Sequence, residues 1–152
     1  MNCLESLEKA IFDFADANGA AWLAEITGGI FPGRAPDCAA GQSPRVPYCV
    51  WNLYGATKQN TATHLRDRER IQFAFYGDNR KKINDITLGC VSLFGSTFED
   101  SRDLDPTSYP DLRMRSDDPA YIPAIYDNTD PTRFALWVGI ALFYVDITIT
   151  TI

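Results

Sequence analysis

Hydrophobic and polar positions alternate most cleanly between Arg68 and Tyr76 (RERIQFAFY), where Ile71, Phe73 and Phe75 fall on one face and Arg70, Gln72 and Ala74 on the other. A period of two marks a half-buried strand. Gly77 breaks the alternation, and Asp78 or Asn79 can accept the first free amides of a helix. From there Ile83, Ile86, Cys90, Leu93 and Phe94 recur at spacings of three and four, which makes one apolar stripe, while Lys81, Lys82, Asn84 and Asp85 take other faces. A strand and a helix joined this tightly pack apolar face to apolar face. The unit is expected to form half of a core.

The remaining pattern supplies its partners. Asn2 and Glu5 have the spacing of a capping box, and Leu4, Leu7, Ile11 and Phe14 follow with helical periodicity up to a stop at Asn18-Gly19. Ala20–Ile26 predicts another short helical turn with Trp22 and Leu23 as packing residues. Ile30–Arg34 reads as a short strand at a sheet edge, because Pro32 cannot donate to a ladder. Ala35–Val46 reads as an exposed loop. Pro47–Ala56 (PYCVWNLYGA) is a strand with Tyr48, Val50, Asn52 and Tyr54 on one face and Cys49, Trp51 and Leu53 on the other. Gly55–Thr63 is polar and turn-rich, and predicts a hairpin that returns the chain into the Arg68–Tyr76 strand.

Beyond Phe98 the pattern thins. Glu99–Pro119 is dense in Asp, Ser and Pro with almost no apolar periodicity, and reads as a long loop. Tyr121–Tyr126 predicts a short strand, and Asp127–Pro131 (DNTDP) a turn. Arg133–Thr150 closes the chain as a long strand. Its second half separates Val145, Ile147 and Ile149 from Asp146, Thr148 and Thr150. Its first half is apolar on both faces, as for a central strand covered on both sides, and Gly139 marks a bulge or a close backbone approach. No internal repeat is visible. These elements predict one α+β domain over residues 1–152, an antiparallel or mixed β-sheet with two main α-helices packed on one face.

Composition changes this picture little. The chain has 152 residues, enough for one domain with a real core, and a formal net charge of −6, which argues against a general nucleic-acid binder. Met1–Leu7 contains Glu5 and lacks a basic start followed by an apolar core, so no secretory signal is expected there. The longest apolar run, Phe134–Val145, is too short to span a bilayer. The chain thus reads as cytosolic in origin, with no membrane partner. Cys3, Cys38, Cys49 and Cys90 are too widely spaced for a zinc site or disulfide scaffold, and Cys49 and Cys90 fall in apolar runs as small buried hydrophobes.

Candidate chemistry is sparse. His64 is the only histidine, so a triad would have to use it and a metal site would need carboxylates. No nucleophile elbow, phosphate-binding loop or dinucleotide fingerprint occurs. Glu99, Asp100, Asp103, Asp105, Asp111, Asp117 and Asp118 could offer oxygen ligands or an acid–base pair, but the calcium-loop pattern is absent and Arg102, Arg113 and Arg115 are interspersed with them. A solvated or protein-binding segment fits these residues better. The run His64–Arg70 has mixed sign, which strand pairing and solvation explain. No catalytic residue, cofactor site or metal site is expected, and the chain reads as no enzyme.

PYCVWNLYGATKQNT followed by RERIQFAFYGDNRKKINDITLGCVSLF resembles the tail terminator, or tail completion, proteins of long-tailed bacteriophages. The resemblance rests on Pro47-Tyr48 opening a strand after a variable loop, the polar hairpin Gly55–Thr63, the strand Ile71–Tyr76 and the helix from Asn79. The helix over Leu4–Phe14 and the strand at Ile30–Arg34 extend it to about two thirds of the chain. It implies a virion protein at the head-proximal end of the tail, assembled in the host cytoplasm. Such proteins form a homo-oligomeric, hexameric ring that caps the tail tube, ends its polymerisation and docks the head connector, with DNA passing through without sequence recognition. A ring needs a heterologous interface that closes. Its contacts are expected on the loops and sheet edges, at Lys58, Gln59, Asn60, His64, Arg66, Asp100, Arg102, Asp103, Asp105, Tyr109, Arg113, Arg115, Asp117 and Asp118. The alternatives are another neck component such as a head-closure protein, a small metal-dependent hydrolase using the acidic loop, and a monomeric binding domain.

Overall fold

Ile71, Phe73 and Phe75 lie on one fully buried face of a strand that runs from His64 to Gly77. The computed structural model describes residues 3–33, 45–60, 64–95, 102–103, 111–127 and 136–150, with side chains over 8–33, 45–53, 68–95, 113–127 and 136–146. In chain order its elements are α1 (Cys3–Asn18), α2 (Ala20–Glu25), β1 (Ile30–Pro32), β2 (Tyr48–Asn60), β3 (His64–Gly77), α3 (Arg80–Phe94), β4 (Arg102–Asp103), β5 (Asp111–Asp127) and β6 (Leu136–Thr150). The strands form one six-stranded sheet in the order β1-β2-β3-β6-β5-β4. Only β1 pairs in parallel; the other neighbours are antiparallel. The fold is α+β, with a mixed sheet and its helices on one face.

Each predicted element has a local cause that the structure retains. Asn79 caps α3 by accepting from the Lys82 amide at 3.0 Å. The α3 stripe Ile83, Ile86, Cys90 and Phe94 is buried, and Thr87 joins it because its hydroxyl donates to the Ile83 carbonyl at 2.7 Å. The β2–β3 hairpin is longer than the Pro47–Ala56 periodicity, because a register shift between Tyr54 and Ala56 lets polar residues continue the ladder to Asn60. Asn2 of the expected capping box and the turn at 128–131 lie outside the described residues.

Two expectations are overturned. Glu99–Pro119 is not a loop throughout: Arg102–Asp103 forms β4, and Asp111–Asp127 is one 17-residue strand. The backbone of β6 supplies its ladder whatever the side chains are, and a register shift between Ser116 and Tyr121 absorbs Pro119, which has no amide to donate. Tyr121–Tyr126 is therefore the second half of β5. The first half of β6 is central in the sheet, and among the described residues no helix covers its second face. Ala141 and Phe143 are buried under the helices, whereas Val138, Ile140 and Leu142 on the opposite face are half-buried.

Gly139 meets α3, and the β5–β6 register shift between Ile122 and Ile125 lies opposite it, while the β3–β6 register runs through it without a shift. A Cβ there would overlap Thr87 Oγ1 and stand 3.0 Å from Ile83 Cγ2. The missing side chain lets α3 sit directly on the sheet. Gly139→Ala is expected to lower the unfolding free energy by about 1–3 kcal/mol, the usual cost of overpacking, as read by urea denaturation. Adding Thr87→Ala should recover part of that loss. An unchanged midpoint in Gly139→Ala would contradict the close packing.

Candidate partner-binding face

Strand alternation sorts charge by side. In the segment from Arg66 to Arg70, arginines occupy the even positions and acids the odd ones. Pairing registers carry the even positions onto the face away from the helices. There Arg68, Asp146 and Arg113 form one cross-strand row, and Arg70, Tyr144 and Arg115 form the next. Arg68 Nε donates to Asp146 Oδ1 at 2.8 Å. Arg70 donates to the Tyr144 hydroxyl at 2.7 Å, and its guanidinium carbon lies 5.2 Å from that ring's centroid. The Arg115 guanidinium carbon lies 5.1 Å from the same centroid. Asp146 and Tyr144 of β6 are thus each flanked by two arginines, which gathers arginines on one patch of an acidic chain.

The same face turns apolar toward the other end of the sheet. Gln72 pairs with Leu142, then Ala74 with Ile140 and Tyr76 with Val138, while Ile122 and Ile125 of β5 lie beyond Ile140 and Val138. On the β2 side this face is closed: Tyr48, Val50 and Ala74 are buried, and the Tyr48 and Tyr76 rings stack at 4.9 Å. Burial fades across the sheet to 37 % exposure at Ile122 and 61 % at Ile125. An apolar patch bordered by paired arginines has the anatomy of a protein contact surface. Among the described residues, β1 and β4 cover only three residues of β2 and two of β5, so both long strands keep unpaired edges beyond them.

The expected contact residues fall in several places. Lys58, Gln59 and Asn60 of β2 pair with Asp67, Arg66 and Leu65, and His64 and Arg66 pair with Thr150 and Thr148 of β6. Arg102 and Asp103 pair with Met114 and Arg113. All of these lie at the arginine end of the sheet. Arg115 is buried, contrary to its placement in an exposed loop, because β5 inserts it beside Tyr144. Asp117 and Asp118 lie in the register shift of β5, with the Asp118 amide donating to Asp117 Oδ1 at 2.7 Å. Asp100, Asp105 and Tyr109 lie outside the described residues. Sequence reading missed Arg68, Arg70, Tyr144 and Asp146. Their signal was the alternation of sign along Arg66–Arg70, read instead as an unsorted charge run. Among the described residues no three His, Cys, Asp or Glu side chains gather to hold a metal ion, and no helix is long and apolar enough to cross a membrane. No protein-family model and no curated protein matches the chain.

Cys49 and Cys90 lie on the helix side, fully buried. Burial pushes both thiols well above their ordinary range, and Cys49 raises Cys90 further. An unfolded thiol ionises near pH ~8.5 while the folded one keeps its proton. Below that pH both states are protonated and these groups make stability independent of pH. Above it the unfolded chain binds fewer protons, so the thiol contribution to stability falls as pH rises. Cys49 and Cys90 should resist a thiol reagent in native protein at pH 8 and react on unfolding. In Cys49→Ala/Cys90→Ala the alkaline loss of stability should be shallower. Rapid native labelling of both thiols, or an alkaline slope identical to wild type, would contradict this placement.

Proposed function

We propose that the chain is a structural virion subunit acting as a tail terminator. Copies close into a ring, hexameric as in the proteins it resembles, which caps the tail tube, ends its polymerisation and presents a docking surface to the head connector, with DNA passing through. The observation that supports this reading best is the part of the sheet face away from the helices that is exposed among the described residues, apolar at Ile122 and Ile125 and carrying Arg70 and Arg113. A heterologous interface joins two different patches of the same chain. Here an arginine patch on a chain of net charge −6 gives each copy a surface suited to the acidic remainder of the next. Among the described residues, the edges of β2 and β5 beyond β1 and β4 are unpaired and suit strand addition by a neighbouring copy.

Light scattering and negative-stain imaging of the purified chain, alone and with tail tubes, test the reading. The wild type should form closed rings in solution or on tube ends, and should stop added tube protein from polymerising. Ile125→Asp should keep the folded stability within about 0.5 kcal/mol, since the side chain is exposed, yet lose the ring. A wild type that stays monomeric and leaves tube growth unchanged would contradict the proposal. Rings that bind the portal-proximal connector and ignore tail tubes would favour the head-closure alternative.

A further inference from the structure

The outward side of α1 carries one ordered stripe. Glu8, Phe12 and Asp16 recur every four residues, so they lie one above another along the helix. Ala10, Ile11 and Ala15 are buried in the core, which turns the stripe to the surface, and Phe12 stands 53 % exposed. Lys9 and Asp13 form an ion pair of their own beside it, so the two carboxylates of the stripe set the local sign. The result is an apolar anchor with an acidic rim.

The far side of the molecule presents the converse. Ile122 and Ile125 of β5 are exposed there, and in the two rows beyond them Arg68, Arg70, Arg113 and Arg115 stand against one carboxylate, Asp146. Arg70 and Arg113 are the exposed members. Ile122 lies beside Ile140 and Arg70 beside Tyr144, so the two are about 13 Å apart along the sheet. With Phe12 laid over Ile122, one of its two acids comes about 6 Å nearer Arg70, within reach of that long side chain. One copy cannot join its own two patches. α1 lies beside Ile30 and Trp51 at the β1–β2 end of the sheet, whereas β5 lies toward the other end and its isoleucines on the opposite face.

We propose that the α1 stripe of one copy seats on the β5–β6 face of the next, with Phe12 on Ile122 and Ile125 and the Glu8 and Asp16 carboxylates toward Arg70 and Arg113. This pairing rests on the ring reading above and names the second patch that its heterologous contact needs. Two different patches on opposite faces repeat the same contact from copy to copy, which closes a ring or extends a fibre according to the rotation between copies. Opposite charge steers the copies together and fixes their register, while the apolar centre excludes water. Like charge also keeps stripe from stripe and arginine face from arginine face, which disfavours a two-fold dimer through either patch.

Charge exchange in the intact chain tests the pairing, read by analytical ultracentrifugation and negative-stain imaging, in solution and on tail tubes. Arg70→Glu and the double variant Glu8→Lys/Asp16→Lys should each raise the concentration needed for association by at least about tenfold. Both should keep the circular dichroism of the wild type, because the three side chains are exposed. Mixed in equal amounts, the two variants should associate again, since in alternation every contact joins opposite charges. Phe12→Ser should weaken association by a similar factor, and it gives the answer if a charge variant fails to fold. The pairing is overturned by a mixture that stays apart, by a Phe12→Ser that associates as the wild type does, or by a wild type that binds tube protein through Ile125 and never joins a second copy. Rings that form normally in both charge variants overturn the pairing and leave the ring reading standing. Fibres that depend on the pairing yet ignore tail tubes support it and contradict the ring reading.

Discussion

Phe94, the last residue of α3, touches rings from four other elements at once. It meets Phe14 of α1 at 5.6 Å, Trp22 of α2 at 6.0 Å, Phe73 of β3 at 5.6 Å and Phe143 of β6 at 6.2 Å. Two of these contacts are edge-to-face, the Phe73 contact is stacked and the Phe14 contact tilted, so the cluster fixes directions as well as distances. Each such pair contributes about 0.5–1.5 kcal/mol beyond the area it buries. The position of α3 depends on it at one end and on the Thr87–Gly139 approach in the middle. With α3 set, α1 and α2 have only the β1–β2 side left to cover.

That arrangement commits every helix to one side of the sheet. The opposite side must then be closed by its own side chains or by something else. On β2 and β3 it closes itself, through the Tyr48–Tyr76 stack over small neighbours. On β5 it stays open among the described residues at Ile122, Ile125 and Arg113. Arg68 is held and offset by the Asp146 carboxylate, and Arg70 is ordered by the neutral Tyr144. A pre-ordered cation patch loses less conformational entropy when it meets a partner than a free one would. The geometry that seals the core is thus what frees the contact surface.

Period and capping made much of this fold legible in the sequence. The alternation at Ile71–Phe75, the α3 stripe, the Asn79 cap and the edge position of Pro32 are all local signals, and all four lie where they were read. Glu99–Pro119 failed because β5 is held by the backbone ladder to β6, a long-range partner that leaves no period in its own residues. The open side of β6 failed for a related reason. An apolar strand reads as covered on both faces, and only the topology reveals that no helix is left for the second. Of the contact surface, Arg113 and Arg115 were legible as residues but not as a site. Their grouping with Arg68, Arg70 and Tyr144 arises from cross-strand register, which sequence spacing does not encode.

The account turns on one claim, that the core lies on the helix side and that partners bind the opposite face of the sheet and the strand edges which, among the described residues, β1 and β4 leave unpaired. Hydrogen exchange by mass spectrometry, comparing the free chain with the chain bound to tail tubes, tests it most directly. The account predicts added protection at residues 53–60 of β2 and 116–127 of β5, outside the Ala124 amide that already donates to Asn84, with α3 unchanged because it is already protected. Protection confined to α1 and α3, with both strand edges exchanging as in the free chain, would contradict it.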